Sequence, residues 1–190
     1  MRLTQFAHDW LASRIPTGSI AIDATAGNGH DTLALARLVG PSGQVFAFDI
    51  QAEALAATRQ RLDEHGYHWV ELLQRSHAEL NDWIPQQHFG RIAAIVYNLG
   101  YLPGGEHGVI TTAETTLAAL RQSTAWLAEG GALSVLAYRG HDGGRNETEA
   151  VARFFDELKS KRWEIEVHPG PSDAAPILFI GTKPHRAASE

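Results

Sequence analysis

Short apolar runs alternate with helical patterns along this chain, and that alternation constrains its fold more than any other feature. Apolar runs typical of buried strands occupy residues 19–24, 44–50, 69–74, 91–98, 132–138, 163–170 and 175–183. Helical patterns cover residues 31–40, 51–66, 111–131 and 147–161. We therefore predict an α/β fold, in which helices cover both faces of a mostly parallel sheet. The short break between the last two strands predicts an antiparallel pair at the end of that sheet.

Length and residue distribution indicate one domain over residues 1–190. A chain of this length is long enough for a single α/β core and short for two. Residues 1–15 have the spacing of an amphipathic helix, with Phe6, Trp10 and Leu11 on one side, and residues 184–190 are expected to form a disordered tail. The amino terminus is too polar for a signal peptide, and no apolar run is long enough for a membrane span. The expected location is therefore cytoplasmic.

Composition excludes several kinds of site. The chain has no cysteine, which rules out disulfides, thiolate zinc sites and cysteine nucleophiles. Its 10 histidines do not converge in a metal-ligand spacing, so we predict no metal. The net charge of −6 argues against a large non-specific nucleic-acid surface, although one local basic face is compatible with it.

A glycine-containing loop joins the first predicted strand to the first helix, in the segment AIDATAGNGHDTLALA. Gly27 and Gly29 lack a Cβ atom, so the backbone can turn sharply there and approach a ligand. In an open parallel sheet, ligands bind beyond the carboxyl ends of the strands, where this loop lies. A dinucleotide fingerprint would need glycine or alanine where this chain has Thr32. The adjacent Asp31 would also repel a pyrophosphate at the helix start.

Acidic residues near this loop suit S-adenosylmethionine, which carries a sulfonium and an ammonium group and no phosphate. Asp23 and Asp31 could flank its methionine end, and Asp49 could accept hydrogen bonds from both ribose hydroxyls. Ser76 and His77 follow the third strand, where the adenine edge would lie. Taken singly, Asp31 is also compatible with helix capping, Asp49 with a plain strand end, and His77 with a satisfied loop histidine.

Six segments, in order along the chain, resemble one known family: DATAGNGHDTLALA, VFAFDIQ, YNLGYLPGG, ITT, TL and YRGH. They follow the pattern of the putative rRNA methylase family of class I methyltransferases, over roughly residues 4–182. The resemblance implies a Rossmann-like fold with a seven-stranded sheet and S-adenosylmethionine as cofactor. Characterised relatives methylate the aminomethyl side chain of the tRNA wobble uridine, the last step to the 5-methylaminomethyl-2-thiouridine type of base. Many relatives have proline where this chain has Arg139.

The loop after the fourth strand, YNLGYLPGGEHG, is the expected site of the acceptor. Amine methyltransferases commonly place an Asn or Asp and an aromatic residue there. Asn98 could accept a hydrogen bond from the amine and Tyr101 could stack on the base, whereas a simple packed turn is the alternative. One of Thr111 and Thr112 is expected to cap the following helix.

The loop after the fifth strand, YRGHDGGRNE, supplies further candidates. Tyr138 and His141 could face the same cleft, with His141 taking a proton or orienting the amine. A surface histidine in a glycine-rich loop is equally compatible with the pattern. Arg139 and Arg145 could contact RNA phosphates, or could simply be solvated.

The resemblance implies N-methylation of the aminomethyl group of 5-aminomethyl-2-thiouridine, with tRNA as the partner. The predicted catalytic residues are Asn98, Tyr101, Tyr138 and His141. The predicted cofactor contacts are Asp23, Thr25, Gly27, Asn28, Gly29, Asp31, Thr32, Asp49, Gln51, Ser76, His77 and Asn98.

Several alternatives stay open from the residues alone. The acceptor could be rRNA or a small-molecule amine, whereas carbon-5 methylation of a pyrimidine is disfavoured because it usually needs an attacking cysteine. An NAD-dependent oxidoreductase and a non-catalytic nucleotide-binding protein are the rival classes. The pattern leaves the oligomeric state open, although an exposed tryptophan-bearing helix could serve a homodimer.

Overall fold

The computed structural model describes residues 2–100 and 111–185, and a seven-stranded sheet lies at its centre. The strands are β1 Ile20–Asp23, β2 Gln44–Asp49, β3 Val70–Gln74, β4 Ile92–Leu99, β5 Leu127–Ala137, β6 Glu164–Pro169 and β7 Ile177–Thr182. Their order is β3-β2-β1-β4-β5-β7-β6. Strands β1 to β5 are parallel, and β7 is antiparallel to both β5 and β6. The predicted sheet, including its terminal antiparallel strands, is confirmed.

Helices cover both faces of this sheet. They are α1 Leu3–Ala12, α2 His30–Val39, α3 Ala52–Glu64, α4 Leu80–Trp83, α5 Ala113–Trp126 and α6 Gly144–Ser160. Because neighbouring side chains of a strand point to opposite faces, two apolar clusters form. Ala21 and Val45 belong to the cluster with α1, α2 and α3, whereas Ile22 and Phe46 belong to the cluster with α4, α5 and α6. No helix in the described part of the chain is long and apolar enough to cross a membrane.

The boundary between α5 and β5 differs from the prediction. The helical pattern was expected to run from 111 to 131, but α5 ends at Trp126 and β5 begins at Leu127. Leu127 is fully buried and pairs with Ile92 on β4, and its carbonyl accepts a hydrogen bond from Lys183 Nζ at 2.6 Å. Tertiary pairing therefore overrides the helix propensity of this alanine- and leucine-containing segment.

Short helical turns between β3 and β4 were absent from the predicted element order. A 3₁₀ turn over His77–Glu79 leads into α4, and a second covers Gln86–His88. The first begins with a capping box, in which the Ser76 hydroxyl accepts from the Ala78 N–H and Glu79 accepts from the Ser76 N–H. The spacing of Ser76 and Glu79 is the sequence signal that indicates this turn.

Trp10 is buried, which contradicts the expectation of an exposed tryptophan on the first helix. Its side chain is 8% exposed, and its Nε1–H donates to Glu166 Oε1 at 2.8 Å. Trp10 therefore fixes α1 to β6 of the same chain. It is not an exposed residue that could form a homodimer contact. The predicted tail over 184–190 lies mostly outside the described residues.

Gly29 packs so closely against α3 that there is no room for a side chain, and a substitution there should lower stability. Its φ is +78°, and a Cβ atom there would lie 2.8 Å from the Thr58 Cα atom of α3. Gly29→Ala should lower the free energy of unfolding by about 2 kcal/mol, from backbone strain plus overlap. The matched control is Gly66→Ala, at φ +68° with no atom within 4 Å, where strain alone should cost about 1 kcal/mol. Urea denaturation of both variants checks this, and equal losses would contradict the packing role.

Candidate active site

A cavity of about 360 Å³ opens at the carboxyl ends of β1 to β5. It lies where β1 and β4 adjoin and the strand order reverses, which is the position that open α/β sheets use for ligands. Predicted residues that line it are Thr25, Gly27, Asn28, Asp31, Asp49, Gln51, Ser76, His77, Asn98 and Tyr138. The structure thus brings ten of the residues predicted from the sequence to one cavity.

Three predicted cofactor residues support this cavity without lining it. Asp23 is fully buried, and its carboxylate accepts hydrogen bonds from the Thr25 N–H at 3.1 Å and the Thr32 hydroxyl at 2.6 Å. Burial, followed by the nearby Asp31 carboxylate, raises the pKa of Asp23. Gly29 faces Thr58 of α3. These residues hold the loop that follows β1 in place.

The glycine loop itself is tied down from two directions. The Thr58 hydroxyl donates to the Gly27 carbonyl at 3.0 Å, and Arg61 Nε donates to the Asn28 carbonyl at 2.8 Å. From β2, Asp49 accepts from the Gly27 N–H and from the Gln51 N–H, both at 2.9 Å. Each Asp49 oxygen keeps lone-pair capacity for a further donor, such as a hydroxyl of a ligand.

Asp31 joins three elements at the cavity wall. Its Oδ1 contacts His8 Nε2 at 2.5 Å, and its Oδ2 accepts from Asn98 Nδ2 at 3.1 Å. The Asn98 backbone N–H donates to the Thr25 hydroxyl at 2.7 Å. Because its Nδ2 is engaged with Asp31, the Asn98 side chain is oriented with its Oδ1 as the remaining acceptor.

His8 is a site residue that the sequence pattern does not indicate, because it lies on α1 and not at the carboxyl end of a strand. Its hydrogen bond to Asp31 raises the pKa of His8 above 6.5, against the opposing effect of burial, and Asp23 and Asp9 add to the increase. Since the folded pKa lies above the unfolded one, the contribution to stability is full below pH 6.5 and is lost as the pH rises through the folded pKa.

The His8→Gln substitution tests this ion pair. The stability difference between the wild type and His8→Gln should be larger at about pH 5.5 than at about pH 9. His68→Gln is the control, because His68 is an exposed histidine outside the cavity lining. Urea denaturation at both pH values measures the difference, and a pH-independent difference would contradict the pairing.

His77 is buried in the cavity wall. Its Nδ1–H donates to the Ala24 carbonyl at 3.2 Å, and burial lowers the pKa of His77, which keeps the ring neutral. Within residues 2–100 and 111–185, Nε2 of His77 has no hydrogen-bonding partner. A neutral Nε2 is an acceptor, so a ligand N–H group such as the adenine amine would satisfy it.

The β5–α6 loop contributes Tyr138 to the cavity, whereas His141 lies just behind the lining. A Cβ atom at Gly100, which lines the cavity, would lie 3.8 Å from His141 Nε2. Burial raises the pKa of Tyr138, which is 39% exposed. Tyr101 lies outside the described residues.

The helix-capping expectation for this region is met by Thr112. The Thr112 hydroxyl accepts from the Thr115 N–H at the start of α5. Thr111 instead donates to the buried carboxylate of Glu147 at 2.8 Å, which links the start of α5 to α6. Further lining residues that the sequence did not indicate are Ala24, Ala26, His30, Phe48, Ile50, Arg75, Leu99 and Thr115. Most of them lie at or just after the carboxyl end of a predicted strand. The rule that ligands bind at the carboxyl ends of parallel strands therefore applies to them as well.

The lining fits S-adenosylmethionine by charge and by polarity. Two carboxylates, Asp31 and Asp49, line the cavity, which suits a cationic methionine end and a pair of ribose hydroxyls. Phe48 and Leu99 supply apolar wall for a purine. In the described ranges, no group of three His, Asp or Glu side chains could hold a metal ion.

Comparison with known sequences identifies the family. The sequence model of the putative rRNA methylase family matches residues 45–179, which is more than half of the chain. The chain belongs to the putative rRNA methylase family. The predicted resemblance is therefore confirmed, together with the enzyme class, an S-adenosylmethionine-dependent methyltransferase, and its cofactor.

Solved structures of putative rRNA methylases agree with this membership. One from Clostridium thermocellum is 34% identical, with a TM-score of 0.88, and the match covers 95% of this chain and 96% of that one. A putative methyltransferase from Streptococcus mutans, in complex with SAH, is also 34% identical, with a TM-score of 0.84, covering 96% and 98%.

One relative of this chain is the chloroplastic tRNA (mnm(5)s(2)U34)-methyltransferase of Arabidopsis thaliana. It is 37% identical over 171 residues, covering 85% of this chain. The match spans 62% of the length of that relative.

Proposed function

We propose that this member of the putative rRNA methylase family is an N-methyltransferase that acts on the aminomethyl group of 5-aminomethyl-2-thiouridine at the tRNA wobble position. The observation that carries this proposal is the 37% identity over 171 residues with the tRNA methyltransferase of A. thaliana. The arrangement of Asp31, Asn98 and Tyr138 around one cavity agrees with transfer to an amine.

The cofactor would be held by the residues that surround the glycine loop. Asp49 would accept the ribose hydroxyls, Asp31 would face the ammonium group, and His77 would accept from the adenine amine. When bound, S-adenosylmethionine supplies an electrophilic methyl carbon on a positively charged sulfur. The carboxylates in the lining favour that cation over neutral or anionic ligands.

Asn98 would position the acceptor amine. Asp31 engages the Asn98 Nδ2, which leaves Oδ1 to accept an N–H of the amine and to direct the nitrogen lone pair at the methyl carbon. In-line displacement would form the nitrogen–carbon bond while the sulfur–carbon bond breaks with its electron pair on sulfur. The protein's part in this step is orientation of the two reacting atoms.

His141 is the candidate acceptor of the proton that the methylated nitrogen loses. Its Nδ1–H donates to the Asp142 carbonyl at 2.9 Å, so Nε2 is the nitrogen that carries the lone pair. Tyr138 would pack beside the acceptor base, and Tyr101 remains a predicted stacking partner. A cytoplasmic location and a homodimer also remain predictions.

The acceptor is tested by methyl transfer in vitro. Purified protein and methyl-labelled S-adenosylmethionine are incubated with tRNA that carries the aminomethyl precursor and, as the control, with an unmodified transcript of the same tRNA. Label is expected only in the precursor-bearing tRNA, on the wobble nucleoside. Label in both tRNAs, or label only in rRNA offered in parallel, would contradict the proposed acceptor.

A further inference from the structure

Two arginines at the edge of the site converge on one carboxylate. Arg139 Nη2 donates to Asp173 Oδ1 at 2.7 Å, and Arg145 donates to Asp173 Oδ2 from Nη1 and Nη2, both at 3.1 Å. Arg139 follows the last residues of β5, Arg145 lies in the first turn of α6, and Asp173 lies between β6 and β7. Two separate elements, the end of β5 and the start of α6, therefore supply the guanidinium groups that bind a single carboxylate.

The location of this arrangement places it beside the proposed acceptor. Arg139 directly follows Tyr138, which lines the cavity. The Asp173 side chain is 76% exposed, so the carboxylate that occupies the arginines lies at the surface. The two arginines lower the pKa of Asp173, Arg145 having the larger effect, so the carboxylate is ionised at neutral pH.

The geometry suits a phosphodiester. The two carboxylate oxygens of Asp173 are each held by a different guanidinium, and the two non-bridging oxygens of a phosphodiester present the same two-oxygen pattern. A phosphodiester delivered by an RNA chain can exchange with Asp173 because the Asp173 carboxylate is exposed, and ion pairs at the protein surface contribute little stability. The chain carries a net charge of −6, so attraction of a polyanion requires local sites of this kind.

We infer that Arg139 and Arg145 form a phosphodiester-binding site for the RNA acceptor, and that Asp173 occupies this site in the free protein and is displaced when RNA binds. The inference rests on the proposed function in one respect: the acceptor is RNA. It adds the contact that holds the RNA backbone while the base enters the cavity.

Binding of RNA to the protein tests the site without catalysis. The probe is a fluorescent RNA hairpin with the sequence of a tRNA anticodon arm, and anisotropy is measured across a salt series with S-adenosylhomocysteine present. Loss of one phosphate contact should reduce the slope of log K against log salt by about 0.7 and weaken binding about fivefold at 0.1 M salt. We expect these changes for Arg139→Ala and for Arg145→Ala.

Matched controls come from an ion pair on the same helix. Arg153 and Glu149 are both exposed on α6, at 69% and 68%, and pair with each other. Arg153→Ala should leave the hairpin affinity and the salt slope close to those of the wild type. Equal losses in the Arg139, Arg145 and Arg153 variants would overturn the site.

The Asp173→Asn variant tests whether Asp173 competes with RNA for the two arginines or only adds one negative charge to the surface. Removing the competing carboxylate should tighten RNA binding about fivefold, the inverse of removing one arginine contact, whereas Glu149→Gln should tighten it much less. Equal gains in these two variants would overturn the displacement. Unchanged cofactor affinity by calorimetry confirms that each variant is folded.

The binding assay also distinguishes this inference from the proposed function. A wild-type protein that methylates precursor-bearing tRNA, with hairpin binding that is insensitive to Arg139 and Arg145, would overturn the phosphodiester site alone. Specific hairpin binding that depends on both arginines, without methylation of the aminomethyl group, would support the site and contradict the proposed modification.

Discussion

Asn98→Ala should slow methyl transfer by about 100- to 1,000-fold while leaving cofactor affinity within a few-fold of the wild type. The substitution removes the Oδ1 acceptor for the amine and the Nδ2 contact with Asp31, while the Asn98 backbone N–H can still donate to Thr25. Positioning acts on the transition state more than on cofactor binding, so the effect should appear in the rate. Single-turnover methyl transfer and calorimetry with S-adenosylhomocysteine measure the two quantities separately.

Asn146→Ala is the matched control for this experiment, because Asn146 is an exposed asparagine on α6 outside the cavity lining. It should retain the wild-type rate. A near-wild-type rate for Asn98→Ala would show that the loop after β4 is structural and that the acceptor is held elsewhere. A parallel loss of rate and cofactor affinity would assign Asn98 to cofactor binding instead.

Asp49→Ala should weaken S-adenosylmethionine binding by about 100-fold. The carboxylate holds the Gly27 N–H and the Gln51 N–H, and in the proposed complex it also accepts the ribose hydroxyls. Its loss therefore removes a ligand contact and loosens the glycine loop at the same time. Calorimetry with S-adenosylmethionine measures the affinity.

Asp49→Asn and Asp63→Ala complete this series. Asp49→Asn keeps the side-chain size but loses one acceptor oxygen, so it should fall between the wild type and Asp49→Ala. Asp63 is an exposed aspartate on α3 outside the lining, and Asp63→Ala should bind normally. Unaltered affinity in Asp49→Ala would remove Asp49 from the cofactor site.

Most of the sheet could be predicted from the sequence because strands that are buried on both faces consist of short, nearly continuous apolar runs. The segment 91–98 illustrates this: it is apolar almost throughout, and β4 spans Ile92–Leu99 at the centre of the sheet. The start of β5 could not be predicted in the same way. Leu127, Ala128 and Glu129 are good helix formers, and pairing of Leu127 with β4 and its contact with Lys183 make this segment part of the sheet instead.

The site residues likewise fall into two groups: those whose position follows from a predicted strand, and those whose position depends on tertiary packing. Asp31, Asp49 and Asn98 could be located because each follows a predicted strand, and parallel strands bring their carboxyl ends to one edge. His8 could not be located, because its contact with Asp31 depends on how α1 packs against α2. The convergence of Arg139 and Arg145 on Asp173 likewise joins residues that are distant in the sequence.

The proposed modification can be measured in cells by mass spectrometry of tRNA nucleosides from a strain that lacks the gene. We expect the methylated wobble nucleoside to disappear and its unmethylated aminomethyl precursor to accumulate. The wild-type gene should restore the profile, whereas the Asn98→Ala gene should not. An unchanged tRNA profile, accompanied by loss of a methyl group from rRNA, would contradict the proposed modification.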